Sequence, residues 1–259
     1  MTAEMLSYQH GYHAGNLADV HKHALLAWAL EYLTQKDKPL SYIETHAGRG
    51  LYDLSAPEAS KTGEAAVGIA RMAPLLPQGH PYVRVLAHVR AAHGATAYPG
   101  SPLIAEHLLR DTDTIHLAEL HPAEHAALSA VSGGRVHKTD GMALAQAILP
   151  PTPRRGLMLI DPSYEVKSDY ETMATALPRL HAKWNVGIVM LWYPILPDAR
   201  HRPMLRAIEQ AVPGVLRHEV AFAPVRPGHG MQGSGMVVIN PPWGMQEQAA
   251  LLGTLFAGL

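Results

Sequence analysis

Seven short apolar runs recur along this chain, and helical patterns separate most of them. They are SYIETHAG (41–48), DTIHLAEL (113–120), RVHKTD (135–140), GLMLIDP (156–162), VGIVMLWYP (186–194), LRHEVAF (216–222) and GMVVINP (235–241). Strands this apolar need cover on both faces. Alternated with helices such as PAEHAALSAV and DGMALAQAIL, they predict a parallel, doubly wound α/β sheet. The 259 residues suit one large domain of this kind, or a core domain carrying an insertion.

Ahead of the first run, Asn16 is placed to cap a helix through LADVHKHALLAWALEYLTQ, with Asp19 in its first turn where an acid suits the helix dipole. The first strand then enters HAGRG, so that Glu44, Gly48 and Gly50 frame a tight turn of the kind at which parallel sheets bind ligands. In an undecorated mononucleotide-binding unit the acid ending the second strand follows such a turn by about 20 residues. Here Glu119 follows Gly50 by 69. The surplus, residues 51–98, contains EAAVGIARMAPLL and YVRVLAHVRAAHG, both helical in period, and reads as a small helical subdomain inserted after the first strand. Chain order resumes at YPGSPLIAEHLL, where Ser101 is placed as an N-cap with Pro102 at the first helical position.

Acids recur where these strands end. A carboxylate at the end of the second strand, Glu119, suits both hydroxyls of a ribose, and one at the end of the third, Asp140, suits the amine of an adenine. With the glycine turn they predict a nucleoside cofactor site. The fourth strand runs into IDPSYE. An aromatic amine is a poor nucleophile because its lone pair is delocalised into the ring. Asp161 and the carbonyl of Pro162 can accept its two N–H bonds and localise that pair, while Tyr164 can stack on the base, worth about 1–3 kcal/mol in comparable single-strand sites. A second candidate, INPPW (Ile239 to Trp243), spells the same chemistry more fully, but it ends the last strand, too late in the winding to face a ligand at the glycine turn. Its expected role is a proline stop before the C-terminal helix.

Composition narrows the partners. With a formal charge of −1, attraction to a nucleic acid has to come from local clusters. There are 17 histidines, but they are scattered, and the close pair His21 and His23 is spaced i, i+2, which separates the side chains on a helix, so no metal site is expected. The chain has no cysteine, no export signal is apparent at MTAEMLSYQH, and the longest apolar run, Val186 to Leu196, has 11 residues and contains a proline. A cytoplasmic protein without a membrane passage is expected. In the loop RPGHGMQGSG (Arg226 to Gly235) the expectation is a solvated hairpin.

Taken in order, MLSYQHGYHAGNLADVHKH, ETHAGRG, KTGE, YPGSPLIA, AELHP, the Asp140–Gly141 pair, RRGLMLIDPSYE, LWYP and SGMVVINPPW resemble the bacterial 23S ribosomal RNA adenine-N6 methyltransferases of the RlmJ type, through nearly the whole chain. The resemblance implies a Rossmann-like class I methyltransferase, a seven-stranded, mostly parallel sheet with a helical subdomain. It would use S-adenosyl-L-methionine to methylate N6 of one adenine in 23S ribosomal RNA, as a monomer without metal. By matching motif, it implies that His23, His46, Ser101, Glu119, Asp140, Gly141 and Asp161 contact the cofactor or its surroundings and that Asp161 receives the amine proton. It also implies that Tyr8 meets the RNA and that Lys22 lies beside the cofactor end. In sheets of this type the last strand enters antiparallel, which would put the end of INPPW on the opposite rim. The family's loop resembles Asp-Pro-Pro-Tyr, whereas this chain has Ser163 at the third position, losing the ring that restrains the preceding residue. A softer loop and a slower enzyme are expected. The alternatives are an adenine-N6 methyltransferase of DNA and a non-catalytic nucleic-acid-binding protein of the same fold, which Ser163 would allow. A nicotinamide oxidoreductase is disfavoured because HAGRG lacks the third glycine of the dinucleotide turn.

Overall fold

The computed structural model describes residues 13–224 and 230–259. Its seven-stranded sheet is built from β1 (Ser41–Glu44), β4 (Thr114–Ala118), β5 (Arg135–His137), β6 (Gly156–Ile160), β7 (Ile188–Ile195), β8 (Leu216–Ala221) and β9 (Gly233–Ile239), each lying within an apolar run or, at β7 and β9, overrunning it by one or two residues. The spatial order is β5-β4-β1-β6-β7-β9-β8. Strands β5, β4, β1, β6 and β7 are parallel, and β9 runs antiparallel to both β7 and β8.

Successive side chains of a strand point to opposite faces, and the continuous apolar runs supply both. Tyr42, Leu157, Leu159 and Met190 join one core with helices α1 (Leu17–Thr34), α5 (Pro81–His93), α6 (Ser101–Leu108) and α11 (Met245–Ala257). Ile43, Met158, Ile160 and Leu191 join a second core with α8 (Gly141–Ile148), α9 (Asp169–Lys183) and α10 (His201–Ala211). A further crossover helix, α7 (Pro122–Val131), links β4 to β5. Asn16 caps α1 by accepting the Asp19 backbone N–H at 2.8 Å, as the sequence suggests. Packed among α5, α6, α11 and the sheet, α1 is buried on nearly every side. Polar residues in its first half are therefore inside the protein.

Residues 51–98 depart from a purely helical reading at both ends. Strands β2 (Leu51–Asp53) and β3 (Ala97–Pro99) pair antiparallel and close the segment, with α2 (Pro57–Thr62), α3 (Glu64–Val67), α4 (Ile69–Met72) and α5 between them. Three residues per strand are too few to show a period of two. Glu64 ties the segment to the start of α1 by accepting from Asn16 Nδ2 at 3.1 Å and contacting His13 Nδ1 at 3.0 Å. No helix among the described residues is long and apolar enough to cross a membrane.

Because β9 is reversed, its last residue Ile239 pairs with Val189 at the beginning of β7. Asn240 consequently lies on the rim opposite the carboxyl ends of the parallel strands. There it adopts a left-handed backbone (φ 53°), and its Nδ2 donates to the carbonyls of Asn185 at 2.9 Å and Gly187 at 2.8 Å. Asn tolerates that conformation better than most residues. Asn240→Ala is expected to cost about 1–2 kcal/mol of stability in urea unfolding, while ligand affinity at the opposite rim stays unchanged.

Candidate active site

The parallel strands deliver their carboxyl ends to a single rim, where a cavity of about 650 Å³ opens. His23, His46, Ser101, Glu119, Asp140, Gly141, Asp161, Pro162 and Tyr164 all line it. Tyr8 lies outside the described residues. The cavity thus gathers residues from α1, the turns after β1, β4, β5 and β6, and the start of α6.

In the first turn Gly48 has φ 64°, and a Cβ there would lie 2.5 Å from the Tyr52 hydroxyl, so both backbone and space demand glycine. The turn is fixed from below by Glu119, which accepts from the Gly48 N–H at 2.8 Å and the His121 N–H at 2.7 Å. Burial pushes the Glu119 carboxyl above its ordinary range, against these two hydrogen bonds. Asp140 caps α8 through Oδ1, which accepts from Ala143 N–H at 2.8 Å, and leaves Oδ2 for a ligand. Its neighbour Gly141 packs directly on Thr45: a Cβ would fall 1.8 Å from the Thr45 carbonyl oxygen. This contact locks the third strand end against the first turn.

Ser101 does not cap its helix. Gly100 occupies the N-cap position, its N–H donating to the Gly50 carbonyl at 2.7 Å, in a gap where a Cβ would stand 3.1 Å from both Gly50 and Tyr52. Freed from capping, the Ser101 hydroxyl donates to Glu44. Fully buried at the end of β1, Glu44 also accepts from Tyr42 at 2.8 Å. His46, held at 2.8 Å from the Thr45 hydroxyl, is kept below its ordinary pKa by burial, which outweighs nearby Asp161 and Asp140.

At the mouth of β6, Asp161 Oδ2 accepts from Lys22 Nζ at 2.5 Å. Lys22 also pairs with Asp19 at 3.0 Å, one turn earlier on α1. Burial works against the Lys22 charge, but the two carboxylates together raise its pKa. In the sequence Lys22 is legible only through the family resemblance, and Asp19 reads as a dipole residue. Their encounter with Asp161 joins positions 139 apart, which no local period encodes.

Two placements differ from the sequence reading. Tyr164, whose backbone is left-handed (φ 54°), is only 7% exposed. Its hydroxyl donates to the Trp192 carbonyl at 3.0 Å and its ring lies 4.5 Å from that of Tyr170, so little of the expected stacking face is open. Of the loop expected to be a solvated hairpin, residues 226–229 lie outside the described residues, and Gly230 and Met231 line the cavity. Ser163 is exposed and also borders it. Trp192, another lining residue, belongs to the LWYP stretch that carries the resemblance, but no role for it is legible in the sequence. Among the described residues no group of three or more His, Asp or Glu side chains is placed to hold a metal ion.

A sheet in this order, with the last strand reversed and carboxylates at the ends of β4, β5 and β6 facing one cavity, defines a Rossmann-like class I methyltransferase. Residues 37–257 match the family model described as Ribosomal RNA large subunit methyltransferase D, RlmJ. The chain is 42% identical to Ribosomal RNA large subunit methyltransferase J of Escherichia coli (strain K12) over 252 residues, covering 94% of this chain and 90% of the relative. It is 40% identical to the protein of the same name in Haemophilus influenzae, with the same coverage. Among solved structures, protein LPL1258 of Legionella pneumophila superposes with a TM-score of 0.85 at 37% identity, covering 94% of each chain. The chain belongs to the RlmJ family of large-subunit ribosomal RNA methyltransferases.

Burial pushes the Glu44 carboxyl up to about 8, against the hydrogen bonds from Ser101 and Tyr42 and from an ordinary value of 4.5. Between these values the folded chain keeps a proton that the unfolded chain gives up, so native stability falls as pH rises through that window. Glu44→Gln removes the titration. Its Tm relative to the parent protein is expected to climb from about pH 5 to about pH 8, measured by thermal melts at matched ionic strength.

Proposed function

We propose that the protein transfers a methyl group from S-adenosyl-L-methionine to the exocyclic N6 of an adenine in 23S ribosomal RNA. One observation carries this reading: Asp161, in the IDPSY loop after β6, opens on the same cavity as Glu119 and Asp140. An acceptor for an aromatic amine and two acceptors for a nucleoside thus converge at one strand rim.

The residues present fit the cofactor. Glu119 is placed for the ribose hydroxyls and Asp140 for the adenine amine, while the Gly48 and Gly141 contacts leave a close backbone floor. His23, His46 and Ser101 also line the cavity. When bound, the cofactor supplies an electrophilic sulfonium methyl. The chain's own contribution is to the nucleophile. Asp161 and the Pro162 carbonyl accept the two N–H bonds of the target amine, which concentrates its lone pair on nitrogen, and Asp161 then takes the proton released. Lys22 orients the Asp161 carboxylate through Oδ2, leaving Oδ1 for the amine. Burial of this pair makes the interaction strong, because water does not screen it.

Asp161→Ala is expected to lower transfer to a 23S RNA fragment by about 10²–10⁴-fold, measured with labelled S-adenosylmethionine. Full activity in that variant would sink the mechanism. Competition by duplex DNA tests the RNA preference, since an amine clamp reads only an exposed base. Failure of the parent protein to bind S-adenosylmethionine would instead favour a non-catalytic nucleic-acid-binding protein. Glu119→Ala is expected to weaken cofactor binding by about 10–100-fold, with little change in RNA affinity.

A further inference from the structure

We propose that Trp192 supplies the aromatic face on which the target base stacks, and that a buried Ser234–His21–His218 chain holds its indole in position. The inference rests on the adenine-N6 reading above and assigns that site a further substrate contact.

Trp192 stands on β7, next to the strand that delivers Asp161; Ile160 pairs with Leu191 in that register. It is half-buried and lines the cavity. The Lys22 ammonium lies 5.8 Å from the indole centroid and 2.5 Å from Asp161 Oδ2. The ammonium thus bridges the indole and the Asp161 carboxylate, which sets the ring and the amine acceptor beside each other at the cavity. Tyr164 is otherwise engaged: its hydroxyl is spent on the Trp192 backbone, its ring packs on Tyr170, and it meets the indole edge-on at 6.1 Å and 63°. That arrangement makes Tyr164 a support for Trp192.

The indole is fixed from behind. Trp192 Nε1 donates to Ser234 Oγ at 2.9 Å, and Ser234 is completely buried on β9. Ser234 Oγ lies 2.9 Å from His21 Nδ1, and His21 Nε2 lies 2.9 Å from His218 Nδ1. One direction of donation satisfies every member: the indole N–H to the hydroxyl, the hydroxyl to His21 Nδ1, and His21 Nε2–H to His218 Nδ1. It requires a neutral His21, which complete burial and the neighbouring His218 both favour. A stacking platform gains from such preorganisation because its rotamer is set before the base arrives.

The test follows binding of a 23S RNA fragment and of S-adenosylmethionine separately. Trp192→Ala is expected to raise the KM for RNA by about 10–100-fold and leave cofactor Kd unchanged, whereas Trp192→Phe keeps most of the affinity. Tryptophan emission of the parent protein is expected to be quenched on RNA binding, and Trp192→Phe to lose that quench although Trp28, Trp184 and Trp243 remain. Ser234→Ala leaves the ring in place but unanchored, and a several-fold rise in KM for RNA is expected. An unchanged KM in Trp192→Ala, or an unchanged quench in Trp192→Phe, overturns the inference while parent activity still supports the adenine-N6 reading. Absence of methyl transfer by the parent protein defeats that reading first. Should Trp192→Ala fail to fold, the quench comparison with Trp192→Phe decides alone.

Discussion

The Lys22 ammonium, held between Asp19 and Asp161, is the contact on which the site depends. It joins the first two turns of α1 to the loop after β6, and both segments line the cavity. All three groups are largely withdrawn from water, so removing the lysine would take the shared cation from two carboxylates. Breaking a buried pair in this way typically costs about 3–5 kcal/mol. The same arrangement explains why α1 has little amphipathic character despite its length. A helix buried on nearly all sides can hold charges only where partners meet them, and its polar first half meets the strand ends.

Around that contact the strand ends share their work by environment. Glu119 fixes the first turn through two backbone N–H groups, Asp140 caps α8, and Asp161 is held by a cation. Each carboxylate is oriented before any ligand arrives, and each retains acceptor capacity toward the cavity. Glycine contacts at Gly48 and Gly141 draw the turns close enough for those acceptors to converge.

The competition between IDPSY and INPPW illustrates what position adds to spelling. INPPW contains the fuller match, but the antiparallel course of β9 carries Asn240 away from the cavity, where its amide ties down the turn before β7. IDPSY departs by one residue, Ser163, yet follows a parallel strand beside β1. Strand direction, not motif quality, selects the rim. Reversal of β9 has a second effect: its beginning reaches the cavity and brings Gly230 and Met231 to the mouth.

Local pattern was enough for much of this protein. Apolar runs fixed both faces of the sheet, alternation fixed the fold class, and acids counted along the strands led to Glu119, Asp140 and Asp161, because these features repeat over a few residues or follow chain order. Short-range signals missed β2 and β3, which are too brief for a period, and misassigned the Ser101 cap, because the partner its hydroxyl meets instead, Glu44, lies 57 positions away. They also left Tyr164 as an open stacking ring. The tertiary structure alone decided its burial, the Lys22–Asp161 pair across 139 positions and the His21–Ser234 contact across 213. Such contacts arise when separate helices and strands pack together, and the chemistry of each partner is then set by water exclusion and neighbouring charge, neither of which is written in the residues around it.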